Sequence, residues 1–326
     1  MRTLTVAVER FQIAGTFTIA RGSKTEAVVV SATITDGANT GRGECVPYAR
    51  YNETVEGVTA DITRQADAIA AGMTRIELQN QMPAGAARNA IDCALWDLEA
   101  KASGRPVHEI AGIAAPQPCV TAYTISLGTP DAMAAAAATA AHRPLLKIKL
   151  GGAGDVERIA AVRTAAPNSR LIVDANEAWT PDLFDANVAA CAAAGVEVIE
   201  QPLPAGRDEV LARLTRRVPI CADESVHDSR TVAELVGRYD AINIKLDKTG
   251  GLTQALLLAA RAKTLGLGIM VGCMVGSSLA MAPAMLLTPG AKWVDLDGPL
   301  LLKADRDGGL RYDGSIVHPA LCALWG

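Results

Sequence analysis

Charged residues interrupt the apolar runs of this chain at regular places, and these are the residues that could do chemistry. Lys147 and Lys149 lie inside LLKIKL, Asp174 ends RLIVD, Glu200 ends VEVIE and Asp223 follows PICA. Lys245 follows AINI, and Asp295 and Asp297 lie in WVDLD. From Lys149 to Lys245 the spacings are 25, 26, 23 and 22 residues. One strand–helix unit has about that length in a barrel of roughly 200–250 residues. A single charge at a strand end is ordinarily just solvated. Five in phase point to a shared site at the C-terminal mouth of a barrel, where barrel enzymes do their chemistry.

Lys147 and Lys149 are two apart, so they project to the same side of a strand. Lysines inside an apolar run are costly to bury unless acids or a ligand neutralise them. Asp174, Glu200 and Asp223 supply three hard oxygen ligands on successive strands, a set suited to Mg2+ with room for water and substrate. Without a cation they would repel one another. Histidine chemistry is set aside, because His108, His142, His227 and His318 are too dispersed for a metal site. The seven cysteines form no CxxC pair and are odd in number, so neither a disulfide framework nor a zinc ribbon is expected. His227 reads as a loop residue, and Cys191 and Cys221 as core. Trp179 reads equally as a cleft wall or as packing, and Asn176 and Glu224 as supports for the ligand strands.

The elements that must position these residues are also legible. Residues 1 to about 50 look β-rich, with TEAVVVSATITDG alternating into the Asp36-Gly37 turn signal. Helical spacing follows over about 53–104, clearest in ARNAIDCALWDLEAKASG, which stops at Gly104. Pro116 and Pro118 mark a lobe boundary. Then come eight apolar runs, from VTAYTISL to KWVDLDG, each expected to join the next through a helix-length connection. Runs apolar on both faces are what buried parallel strands require. A (β/α) barrel is therefore expected, with a doubly wound sheet as the alternative. GGAGDVERIA looks like a dinucleotide-binding turn, but Glu157 stands where the third glycine belongs, so a plain Gly-rich turn is preferred.

Composition narrows the function classes. Of 326 residues 50% are hydrophobic and 20% charged, which allows a large core and argues against global disorder. A net charge of −4 argues against broad nucleic-acid binding. No long uncharged apolar run and no secretory start are seen, so a cytoplasmic protein without a membrane partner is expected.

The set KIK, DAN, EQPL, ADES, NIKLDKTGG and DLD resembles the enolase superfamily in its muconate-lactonizing-enzyme-like subgroup. The resemblance spans nearly the whole chain. It implies a (β/α)7β TIM-like barrel over residues 117–298, an N-terminal α+β capping domain over 1–116, and a C-terminal segment, 299–326, that returns to the cap. It implies Mg2+ on Asp174, Glu200 and Asp223, with Lys149 and Lys245 as catalytic bases flanking the substrate and Lys147 beside its carboxylate. Within the subgroup the chain most resembles the L-Ala-D/L-Glu (dipeptide) epimerases. Asp295 and Asp297 then match the residues that hold the dipeptide's ammonium. Arg21, in IARGSKTEA, matches the residue that meets the glutamate side chain, and Thr124, Cys273 and Met274 match other substrate contacts.

The implied reaction is an isomerisation, a two-base 1,1-proton transfer through an enediolate. Its setting would be murein peptide recycling, its partner a small dipeptide, and a homo-oligomer is compatible with the sequence. A free lysine is ~1 part in 2,500 neutral at pH 7, so a base tuned to about 7 needs ~4.6 kcal/mol of differential interaction. A nearby cation and partial desolvation both act in that direction. The alternatives are another enolase-subgroup reaction (N-acylamino-acid racemization, o-succinylbenzoate synthesis or cycloisomerization) and a non-catalytic barrel. Substrates of those other reactions carry no free ammonium, so the DLD pair discriminates. Loss of a flanking lysine would favour the non-catalytic barrel, and both are present.

Overall fold

Alternation in TEAVVVSATITD builds the middle strand of an antiparallel sheet made of β1 (Thr3–Ile19), β2 (Gly22–Asp36) and β3 (Asn39–Cys45) in that order. The computed structural model describes all residues 1–326. Val30, Ala32 and Ile34 point from β2 into a core shared with Ala90, Ile91, Ala94 and Leu98 of the helix Ala86–Ser103. Sheet and helix approach very closely. A Cβ on Gly43 would lie 2.1 Å from the Ala90 carbonyl oxygen, and one on Gly41 2.1 Å from that of Ala94. Only glycine fits at either position. Shorter helices, Val55–Thr63, Ala66–Ala70 and Arg75–Gln81, complete this lobe.

After β4 (Cys119–Val120) the eight apolar runs become eight parallel strands, hydrogen-bonded in chain order. They are β5 (Tyr123–Ile125), β6 (Leu145–Lys149), β7 (Arg170–Asp174), β8 (Val196–Glu200), β9 (Ile220–Ala222), β10 (Ala241–Ile244), β11 (Gly268–Gly272) and β12 (Trp293–Asp295). The two ends nearly close on each other, with Ala122 N donating to Val294 O at 2.8 Å and Leu296 N to Thr121 Oγ1 at 2.8 Å. Ala122, Leu145, Ile172, Val198, Cys221, Ala241, Met270 and Trp293 plug the barrel interior, so the lumen is a packed core below the site.

The expected helix-length connections are present on most of the ring but not after β8 and β9. Only the short 3-10 turns Glu209–Ala212 and Val232–Leu235 form there. Pro202, Pro204, Gly206 and Pro219 leave the first of these segments too interrupted for a helix. The GGAGDVERIA turn is structural. Asp155 accepts the amides of Gly151 (3.0 Å) and Gly152 (2.7 Å) and the Trp179 indole N–H (2.9 Å). The amides a pyrophosphate would need are taken. Trp179 is thereby buried against Phe184 and does not wall the cleft.

The last residues reach back to the first lobe. β13 (Tyr312–Asp313) and β14 (Ile316–Val317) form a hairpin that pairs with β4. Lys303 N donates to Gln12 O at 2.8 Å, and Arg306 bridges Glu9 (2.6 Å) and Glu44 (2.7 Å). No helix is long and apolar enough to cross a membrane.

Candidate active site

Every strand-end charge singled out above lies at the C-terminal mouth of the barrel, and all are buried. They form one network. Lys149 at the end of β6 donates to Asp174 at the end of β7 (2.6 Å). Lys245, directly after β10, donates to Asp223, directly after β9 (2.6 Å). Lys147 lies centrally, 2.6 Å from Glu200, 2.6 Å from Asp295 and 3.3 Å from Asp174. Asp297 accepts the backbone N–H of Thr124 at 2.7 Å, joining β5 to the segment after β12. Cys273 and Met274 are half-buried just beyond β11.

Charge and burial oppose each other throughout. Burial pushes Asp174 up, but the ammonium groups of Lys149, Lys147 and Lys245 outweigh it and hold it below the usual carboxylate range. Asp223 is likewise held down by Lys245 and Lys248. Glu200 is pushed up by burial and by Asp174. Burial and neighbouring Asp295 push Asp297 up to about 7. Burial alone would lower Lys147 and Lys245, yet the surrounding carboxylates raise both well above the ordinary lysine value. Asp223 at 2.6 Å favours the protonated form of Lys245.

Nor do Asp174, Glu200 and Asp223 converge in metal-ligating geometry as they stand, since lysine ammonium groups lie between them. The donor set nevertheless fits a hard cation. Six carboxylates (Asp174, Glu200, Asp223, Glu224, Asp295, Asp297) are buried here with four lysines (147, 149, 245, 248). Glu200 Oε2, Glu224 Oε2, Asp295 Oδ1, Asn176 Oδ1 and Asn243 Oδ1 are buried acceptors without a hydrogen bond. Glu200 Oε2 lies within 2.6 Å of Lys147, but not in hydrogen-bond direction. All five orphans around the site are oxygens, so it lacks positive groups and donors.

The first lobe closes the mouth. Arg21, on the turn between β1 and β2, donates to Glu224 (2.6 Å), Glu177 (3.2 Å), Tyr48 (3.1 Å) and the Asn176 carbonyl (2.9 Å). Glu224 and Asn176 thus support the site as expected, with Asn176 N also donating to Asp174 at 2.9 Å. His227 packs edge-on against Tyr51 and takes no part.

Three contributors were not singled out in the sequence. Asn243 donates to Glu200 at 2.7 Å. Gln201, with a left-handed φ of 34°, accepts the Asp223 amide at 2.9 Å and donates to Tyr239 at 2.9 Å. Lys248 donates to Asp223 at 2.5 Å. All three lie within the EQPL and NIKLDKTGG motifs, which was the available signal.

Residues 1–112 match the mandelate racemase / muconate lactonizing enzyme N-terminal domain, and residues 131–318 match the enolase C-terminal domain-like family. The chain belongs to the enolase superfamily. Within this superfamily it is similar to an enolase family member of Agrobacterium tumefaciens with homology to dipeptide epimerases. The two are 59% identical, with a TM-score of 0.98 over 100% of both chains, and that structure has bound sodium and L-Ala-L-Glu with an ordered loop. The L-Ala-D/L-Glu epimerase of Escherichia coli K12 is 45% identical, covering 98% of this chain and 100% of its own. An N-acetyl-D-glutamate racemase of a Pseudoalteromonas species is 48% identical, covering 91% and 95%.

Proposed function

We propose that this enolase-superfamily chain is a Mg2+-dependent dipeptide epimerase that interconverts L-Ala-L-Glu and L-Ala-D-Glu. One observation carries the reading. Lys149 and Lys245 end strands four apart in an eight-stranded barrel, on opposite walls, each against its own carboxylate. That is one base for each face of an α-carbon.

On this reading Lys149 takes the α-proton of the L-glutamyl centre and Lys245 delivers one to the opposite face, with the roles exchanged from the D-centre. The abstracting lysine must be neutral while the other is protonated. Loosening the Asp223 pair is what frees Lys245 to lose its proton. The α-carbon is a weak acid because its carboxylate is already negative, and deprotonation to the enediolate adds a second charge. Lys147 offers its ammonium to those oxygens. Mg2+ held by Asp174, Glu200 and Asp223 would supply Lewis acidity there. Asp295, whose Oδ1 has no partner, and Asp297 receive the dipeptide's ammonium. Thr124, Cys273 and Met274 line the substrate, and Arg21 meets the acidic side chain after giving up a protein carboxylate. We assign the wider role to cytoplasmic murein peptide recycling.

The racemase relative favours a second reading, racemization of an N-acylated glutamate. Such a substrate has no ammonium for Asp295 and Asp297. Proton NMR in D2O with Mg2+ tests both. L-Ala-L-Glu should lose its glutamyl α-proton as the diastereomer appears, while N-acetylglutamate stays unchanged. Exchange of N-acetylglutamate alone would reverse the assignment.

A further inference from the structure

Lys248 is the buried lysine that the chemistry above leaves without a task. Its side chain is 1% exposed and is committed to Asp223 and to two backbone carbonyl oxygens, so it is not placed to act on a substrate. It belongs to a single helical turn, Leu246–Thr249, that starts directly after Lys245. The i, i+3 spacing sets both ammonium groups on one side of the turn. Both meet the same carboxylate, Lys245 at Oδ2 of Asp223 (2.6 Å) and Lys248 at Oδ1 (2.5 Å).

Lys248 spends its other donors on backbone, on the carbonyl oxygens of Asp223 (2.5 Å) and Asn243 (3.0 Å). An ammonium has three protons, and all three are used. These two residues are where the pairing between β9 and β10 has ended. The β9–β10 ladder pairs Ala241 with Cys221 and Ile242 with Ala222 and goes no further. Lys248 takes over at the next residue of each strand. From the other side the turn is gripped by the first lobe. Asn89 donates to Asp247 (2.8 Å), and Arg88 to the carbonyl oxygens of Thr249 (2.8 Å) and Gly250 (3.0 Å). On the opposite wall Asp174 is held by Lys149 (2.6 Å), Lys147 (3.3 Å) and the Asn176 amide (2.9 Å), and by no part of this turn.

We propose that Lys248 is a positioning residue for one face of the reaction. It fixes Asp223, and through Asp223 it fixes Lys245, while the Lys149 wall stands without it. This rests on the two-base reading above. The test is Lys248→Met, read by solvent deuterium exchange at the glutamyl α-carbon, started separately from L-Ala-L-Glu and L-Ala-D-Glu. Exchange started from the D-centre should fall about 10- to 100-fold more than exchange started from the L-centre, the scale seen when partners orienting metal ligands are lost. Mg2+ should also bind more weakly in calorimetry without substrate, because Asp223 loses one of its two clamps. Equal loss on both faces, or Mg2+ affinity unchanged or tighter, overturns the proposal. Lys149→Ala and Lys245→Ala, run alongside, separate the two ideas. If they fail to leave opposite one-sided exchange, the two-base reading is at fault, and the Mg2+ titration then decides on Lys248 alone. Lys248→Gln, which keeps an amide donor, goes through the same two assays if the methionine variant does not fold.

Discussion

Replacing Lys147 with methionine shortens the unbranched side chain by one atom and removes its charge. In the structure that charge is shared among Glu200 and Asp295, each at 2.6 Å, and Asp174 at 3.3 Å. Breaking a buried ion cluster by removing one partner costs about 3–5 kcal/mol, because the carboxylates remain buried and uncompensated. At ~2.1 cal/mol/K of unfolding entropy per residue, a chain of this length should lose roughly 4–7 °C in Tm. Scanning calorimetry in EDTA measures it. Mg2+ should then raise Tm more in the variant than in the parent, since the same carboxylates gain a counter-charge. The pH response has a definite sign. Burial and Asp174 hold Glu200 above its unfolded value, so its ionised form destabilises the fold. That cost is full above the folded pKa and fades as pH falls toward the unfolded one. The variant's deficit should therefore narrow on acidification. An unchanged Tm in EDTA, or a weaker Mg2+ response than the parent's, would refute the reasoning.

Lys149→Ala and Lys245→Ala should each abolish epimerization while leaving exchange at the face served by the surviving lysine; normal turnover in either would sink the two-base model. Asp297→Leu should raise KM for Ala-Glu and weaken selection for a free N-terminus, and unchanged kinetics would remove the ammonium role. Asp247 is a buried carboxyl pushed up to about 7 by burial, accepting the Val46 amide and the Asn89 side chain. Asp247→Asn keeps the acceptor and drops the charge, so it should raise Tm at pH 8 by more than at pH 5. An equal gain at both pH values in thermal melts would contradict this.

The eight strands were legible because each is a short apolar run ended by a charge, a pattern that depends only on local chain. Lys149, Asp174, Glu200, Asp223 and Lys245 could be read off as one constellation for the same reason. The missing helices after β8 and β9 were harder, since the prolines and glycine there are scattered rather than clustered as a turn signal. What could not be read were pairings between distant segments. Asp208, Ser225 and Tyr239 meet in one buried hydrogen-bonded group that supports Gln201, yet Asp208 comes from the connection after β8 and the other two from opposite ends of the connection after β9. Arg21 is legible as a cation near a turn, but its four protein acceptors belong to the loops after β7 and β9 and to Tyr48.

The glycines of β3 divide the first lobe into two parts with different freedom to change. Where Gly41 and Gly43 touch the helix Ala86–Ser103, no side chain can be introduced without parting the backbones. The rim residues Arg21, Tyr48, Arg50 and Tyr51 sit on turns away from that seam and reach across the mouth with their side chains. Substitutions there leave the spine intact. Selection among substrates can therefore drift through the rim while the spine and the lysine–carboxylate floor stay as they are.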